Sequence, residues 1–231
     1  MTGPALVIFD MAGTTIEDRG QVPGAFAATL AANHLPITAD DITRVRGASK
    51  RQAIRNLLPP RLGDDASARQ AFEAEADRIY GEFRKQLIDT YRNAGARCVP
   101  GAETAIQALR ANGVKVALTT GFDRDIAMLL LSSLGWTRTM IDAVVCGDDV
   151  STGRPAPEMI LMAMQLTGVT DAATVANVGD TALDLEAASR AGVKWNIGVL
   201  SGAHRRETLE RAPHTHIIRS IEDLPFEGLR A

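Results

Sequence analysis

The residues best suited to chemistry in this chain are carboxylates, and they stand where apolar runs end. Asp10 follows the run ALVIF at residues 5–9 and opens the turn Met11, Ala12, Gly13, Thr14, Thr15. VKVALTT at 114–120 ends in Thr119 and Thr120, with Gly121 next. DAVVCGD at 142–148 leads into Asp149 and then Gly153, Arg154 and Pro155, and TVANVGD at 174–180 ends in Gly179 and Asp180, with Asp184 one helical turn later. A turn of glycine and threonine can aim backbone amides at an anion. Thr120 and Gly121 offer a hydroxyl and an amide to a phosphoryl oxygen, and Arg154 offers a fixed guanidinium fork. Asp10, Asp180 and Asp184 form a hard oxygen set of the kind that suits Mg2+, which keeps several waters and takes one or two protein carboxylates plus a substrate phosphate. With the metal screening the two anions, Asp10 can attack phosphorus and form an aspartyl-phosphate that water later hydrolyses. Asp148 and Asp149 read more simply as turn and capping residues.

Such a constellation needs a sheet to converge on. The apolar runs above, together with KWNIGVL at 194–200, have the continuous character of strands buried on both faces of a parallel sheet. Between them ETAIQALRAN, DIAMLLLSSLG, PEMILMAMQLTG and LDLEAASRAG repeat apolar residues with helical period and end near glycines. The pattern predicts an α/β, Rossmann-like, doubly wound parallel-sheet core, whose ligands sit outside the carboxyl ends of the strands. Residues 17–96 interrupt it, with helices predicted over 23–33, 39–45, 50–58 and 66–92 and no convincing strand. Phe72, Ile79, Phe83, Leu87 and Tyr91 share one face of the long helix. The expectation is a core of residues 1–16 and 97–231 carrying a small all-α cap domain at 17–96.

Bulk properties narrow the partners. At 231 residues with 45% hydrophobic content the chain can bury a core of this size. A net charge of -3 argues against a broad basic surface for nucleic acid or anionic membrane. Cys98 and Cys146 are far apart and form no metal-ligand pattern, which suits reduced thiols in a cytoplasmic protein. The N-terminal apolar run is too short for a secretory signal, and no run reaches membrane-span length. His34, His204, His214 and His216 fall outside the motifs and read as surface residues.

The order D-x-x-G-T, T-T-G, Arg and G-D-x-x-x-D, spread over nearly the whole chain, resembles the haloacid dehalogenase superfamily. Most phosphatases of that superfamily carry a second aspartate two positions after the nucleophile as acid and base. Ala12 stands there, and general acid help is typically worth about 10²–10⁴ in rate. The insert offers a different group. Ser49 reads as an N-cap, so Lys50 falls in a first helical turn, where the positive dipole end favours a free amine able to form a Schiff base with an aldehyde. Such an imine would let a carbon–phosphorus bond break without a protonated alkoxide.

The DMAGTT turn, G-x-x-K at Gly47–Lys50, the arginine of GRPAPEMI and VGDTALDLEAASRAG together resemble the phosphonoacetaldehyde hydrolases, or phosphonatases. That resemblance implies Asp10 as nucleophile, Lys50 as imine former and Thr120 and Arg154 as phosphonate ligands, with Gly47 and Gly121 also against the substrate. It further implies a Mg2+ shell of Asp10, the Ala12 carbonyl, Asp180 and Asp184, and a homodimer through the cap. The chain departs from the family pattern at Ala53 and Phe122, where histidine and tyrosine are usual, at Arg46 in place of methionine, and at Gly20–Gln21, which lack its cysteine. A sister group of phosphonatase-like hydrolases fits these departures. The competing expectations are a phosphatase of small phosphate monoesters using Lys50 as a substrate-binding cation, a metal-free dehalogenase, for which Asp180 and Asp184 would have no purpose, and an inactive binding module.

Overall fold

The structure, a computed structural model, describes residues 3–35, 38–59 and 65–226. In chain order it forms β1 (Leu6–Asp10), α1 (Gln21–Ala32), α2 (Ala39–Arg44), α3 (Lys50–Leu57), α4 (Ala66–Ala94), α5 (Ala102–Ala111), β2 (Lys115–Thr119) and α6 (Arg124–Leu134). There follow β3 (Ala143–Val145), α7 (Glu158–Thr167), β4 (Val175–Gly179), α8 (Ala182–Ala191), β5 (Trp195–Val199), α9 (Arg206–Leu209) and β6 (His216–Ile218).

Among the described residues six strands form one parallel sheet in the order β3-β2-β1-β4-β5-β6. Every residue of β1 is buried, because helices cover both faces of the sheet. Val7 and Phe9 join the apolar cluster on one face, while Leu6 and Ile8 join the cluster on the other, as the two-residue period of a strand requires. The chain winds outward from β1 through β2 and β3 in one direction and from β4 to β6 in the other. The crevice at this switch point is where such sheets bind ligands. Register sets Asp10 beside Thr119 and Phe9 beside Val178, so the carboxyl ends of β1, β2 and β4 finish level with one another.

Helices α1–α4 follow β1 in sequence and pack against one another. Phe26 of α1 lies against Phe83 of α4, with ring centroids 4.4 Å apart. Their apolar face does not close on itself. Ile79, Phe83, Leu87 and Tyr91 are buried in the same cluster as Phe9 and Phe122, and Tyr91 meets Phe122 edge-on at 6.4 Å, whereas Phe72 is only partly buried at the margin. The polar residues at the start of α3 therefore come to rest directly over the strand ends.

Two elements went unanticipated, α9 and β6. The strand is only His216, Ile217 and Ile218, too short and too polar at its start to carry a periodic signal; it forms by pairing with β5 at the sheet edge. Among the described residues no helix is long and apolar enough to cross a membrane.

Candidate active site

Arg154, in the loop after β3, ties the predicted acidic residues together. Its Nη1 donates to Asp10 Oδ1 at 2.7 Å, its Nη2 donates to Thr119 Oγ1 at 2.7 Å, and its Nε lies 3.0 Å from Asp184 Oδ1. The side chains of Arg154, Asp10 and Asp184 are all more than nine-tenths buried. The other oxygen of Asp184 accepts from the Thr181 amide at 3.0 Å and from the Thr181 hydroxyl, closing the capping box of α8. One residue thus caps a helix and anchors the arginine, leaving Asp184 more committed to protein donors than the spacing alone implied.

Asp180 accepts from the Ala203 amide through Oδ2 at 2.5 Å. The close approach depends on two glycines. A Cβ at Gly13 would stand 2.4 Å from that oxygen, and one at Gly202 would stand 2.0 Å away. Ser201 donates its hydroxyl to the Gly13 carbonyl at 2.8 Å, and His204 accepts from the Ala182 amide through Nδ1 at 3.0 Å. The loop 201–204 was missing from the set read off the sequence, although it too follows a strand end, that of β5. His204, expected at the surface, is half-buried here because it serves the first turn of α8.

Burial pushes the Asp10 carboxyl up to about 6, with Asp184 adding repulsion and Arg154 opposing both. Burial likewise holds the Asp180 carboxyl well above its ordinary range, reinforced by Asp10 and Asp184. Three buried carboxylates thus face two buried cations, Arg154 and Lys50. An all-oxygen donor set with one uncompensated negative charge fits a hard divalent cation. A second cluster of possible ligand atoms, Cys146, Asp148 and Asp149, does not fit one. Asp149 pairs with Arg124 and accepts from the Cys146 amide, Asp148 accepts from the Arg124 amide, and burial pushes the Cys146 thiol up to about 12. The pair behaves as turn and capping residues.

Lys50 is the first residue of α3, and Ser49 caps that helix by accepting from the Gln52 amide at 3.3 Å. The Lys50 amide donates to the Gly121 carbonyl at 3.1 Å, which binds α3 to the turn after β2. Its ammonium is buried, 3.3 Å from the Ala48 carbonyl and 5.2 Å from the centre of the Phe122 ring. Burial is the largest cause lowering its pKa to about 8; Asp10 works in the opposite direction, while Arg154 and Arg46 assist. Thr120 lines the same pocket, with its hydroxyl accepting from the Phe122 amide at 3.1 Å. Gly47 also lines it, at a φ of 88°, and its carbonyl lies 3.4 Å from Arg154 Nη1. Asp10, Ala12, Lys50, Thr120, Gly121, Arg154 and Asp180 surround about 20 Å³ open to the centre of a water molecule, enough for one water.

A buried aspartate thus stands at the switch point, held by an arginine and accompanied by further buried carboxylates. Residues 4–192 match the haloacid dehalogenase-like hydrolases, and the chain belongs to that family. Within it the protein is a phosphonatase-like hydrolase. It is 32% identical over 203 residues to the phosphonoacetaldehyde hydrolase of Hahella chejuensis, covering 86% of this chain and 68% of that one. It is 30% identical over 198 residues to the phosphonoacetaldehyde hydrolase of Paraburkholderia xenovorans, covering 84% and 73%. The crystal structure of a phosphonoacetaldehyde hydrolase-like protein from Oleispira antarctica superposes with a TM-score of 0.81 over 97% of this chain and 92% of that one; at 23% identity it speaks for the fold.

Proposed function

We propose that the protein is a magnesium-dependent hydrolase that cleaves the carbon–phosphorus bond of phosphonoacetaldehyde or a related phosphono-aldehyde. The observation that carries this reading is Lys50, a buried amine with a pKa near 8 in the same small pocket as Asp10. At pH 7.5 such an amine is about one quarter neutral, against roughly one part in a thousand for an exposed lysine. Its sparse polar contacts leave the nitrogen free to react, and Phe122 and Val22 keep bulk water away.

The reaction then divides between two residues. Lys50 adds to the aldehyde carbon, water departs, and a protonated imine forms. Asp10 attacks phosphorus while the carbon–phosphorus bonding electrons pass into the imine, leaving an enamine on Lys50 and a phosphoryl group on Asp10. Protonation and hydrolysis of the enamine release acetaldehyde, and hydrolysis of the aspartyl-phosphate releases phosphate. No alkoxide leaves, so Ala12 is no handicap. Arg154, pinned between Asp10, Asp184 and Thr119, offers its guanidinium to the phosphonate oxygens without having to reorganise, and Thr120 and Gly121 complete that pocket wall. Asp10, the Ala12 carbonyl and Asp180 would hold Mg2+, with Asp184 adding charge. When bound, the metal would screen the nucleophile from the anionic phosphonate. Residues 17–96 would act as the cap that brings Lys50 to the substrate.

The test is to incubate the protein with phosphonoacetaldehyde and borohydride and to map the reduced adduct by mass spectrometry. A single adduct on Lys50 is expected. No adduct, with phosphate-ester turnover by Lys50→Ala, would replace this reading by that of a phosphatase. Activity unchanged by a chelator would remove the magnesium assignment.

A further inference from the structure

Imine formation needs protons moved on the carbon side of the pocket, and with Ala53, Phe122 and Gly20–Gln21 at the departing positions no histidine, tyrosine or cysteine is among the described residues that line it. The carboxylates lining the pocket are Asp10, Asp18 and Asp180. On the reading above Asp10 is the nucleophile and Asp180 would hold the metal; Asp180 also accepts from the Ala203 amide. Asp18 is left. Its side chain is 2% exposed and ion-pairs with Arg46, itself a pocket residue and itself a departure from the family pattern. Asp18 Oδ1 accepts from the amides of Gly20 at 3.1 Å and Val22 at 3.3 Å, which fixes the carboxylate at the start of α1.

A second observation falls at the same place. The Tyr91 hydroxyl is buried without a hydrogen-bond partner among the described residues, and Asp18 and Arg46 are the charged groups acting on it. Asp18 and Arg46 also act on the Lys50 ammonium, together with Asp10 and Arg154.

We propose that Asp18, oriented by Arg46, is the proton-transfer group for imine formation on Lys50, an inference that rests on the carbon–phosphorus reading given above. Asp18 accepts a proton from the Lys50 ammonium, directly or through the one water the pocket can hold. The freed amine forms a bond to the aldehyde carbon, and the ammonium proton passes from nitrogen to the former carbonyl oxygen to give a carbinolamine. Protonated Asp18 then returns its proton to that hydroxyl, the carbon–oxygen bond breaks, and water leaves. The products are the protonated imine, one water and ionised Asp18, so the proton count closes. Arg46, in this scheme a positioning residue, holds the carboxylate toward the amine.

The experiment measures the rate of borohydride-trapped adduct formation with phosphonoacetaldehyde in the magnesium-loaded full chain. Asp18→Asn keeps an oxygen for the Gly20 and Val22 amides, so α1 stays capped; trapping is expected to slow by about 10²-fold, in the usual range for a lost acid–base group. Asp18→Ala should be equally slow and should recover with added formate, a response that a merely structural role would not produce. Trapping at the wild-type rate in Asp18→Asn overturns the proposal, and so does slow trapping in Asp18→Ala that formate leaves unchanged. Absence of any adduct in the wild-type protein is a separate result that removes the carbon–phosphorus reading itself.

Discussion

Burying Asp10 beside other carboxylates holds its proton up to about pH 6, against 3.8 for the free side chain. Between those values the folded chain binds more protons than the unfolded one, so stability falls as pH rises through the window and the full cost stands above about pH 6. Asp10→Asn removes that cost. In chelator at pH 7.5 the variant should be more stable than wild type by on the order of 2 kcal/mol, less than the raw shift implies because the charged bond to Arg154 is weakened. Thermal melting would register this as a rise of about 5 °C, with activity down by about 10⁴-fold or more. A lower melting temperature would mean that the ion pair with Arg154 outweighs the burial. Lys50 has the opposite sign of consequence. Its lowered pKa means that the neutral amine accumulates as pH approaches 8, so in Asp18→Asn, where no carboxylate takes up the ammonium proton, the trapping rate should climb roughly tenfold per unit at lower pH and level off above about pH 8. A rate still climbing at pH 10 would show an ordinary exposed amine.

At the scale of elements, the site depends on how closely α3 can approach the turn after β2. A Cβ at Gly121 would stand 2.4 Å from the Ala48 carbonyl, a backbone atom that cannot yield unless α3 retreats as a whole. Gly121→Ala should therefore leave the sheet intact while holding Lys50 away from Asp10. Turnover is expected to drop by about 10²-fold for a displacement on the order of 1 Å, with little change in melting temperature. Wild-type turnover would show that the contact is not part of the working state. The strand ends were legible in the sequence because β1, β2 and β4 are apolar runs stopping at Asp10, Thr119 and Gly179, and a parallel sheet brings such ends together whatever lies between them. Helix α3 was legible from Ser49 and its amphipathic run. Three contacts were not legible. Arg154 meets Asp10 across 144 positions, and Ala203 meets Asp180 through a backbone amide that any residue type could supply. The ion pair of Asp18 with Arg46 was equally hidden, since either residue alone looks like ordinary surface charge.

For the molecule as a whole, the question is how substrate reaches a pocket of about 20 Å³ whose Asp10, Lys50 and Arg154 are each at most 7% exposed. On the proposed reading helices α1–α4 are a cap that moves away from the sheet to admit it. Their contact with α6 offers a place to weaken the closed state outside the chemistry. Tyr80 donates its hydroxyl to Asp123 at the start of α6, Arg84 Nε lies 2.9 Å from Asp123 Oδ2, and Arg84 Nη2 lies 2.8 Å from Asp125 Oδ2. These partly exposed pairs are worth about 0.2–1 kcal/mol each, so Arg84→Ala should enlarge the open population by a few-fold rather than abolish closure. A small probe of Lys50 access, reductive methylation with formaldehyde, should then run a few-fold faster, while the Michaelis constant for the phosphonate rises by a similar factor. If methylation of Lys50 is unchanged in Arg84→Ala, the α4–α6 contact does not govern opening. If methylation is already fast in the wild-type protein, the helices stand open most of the time.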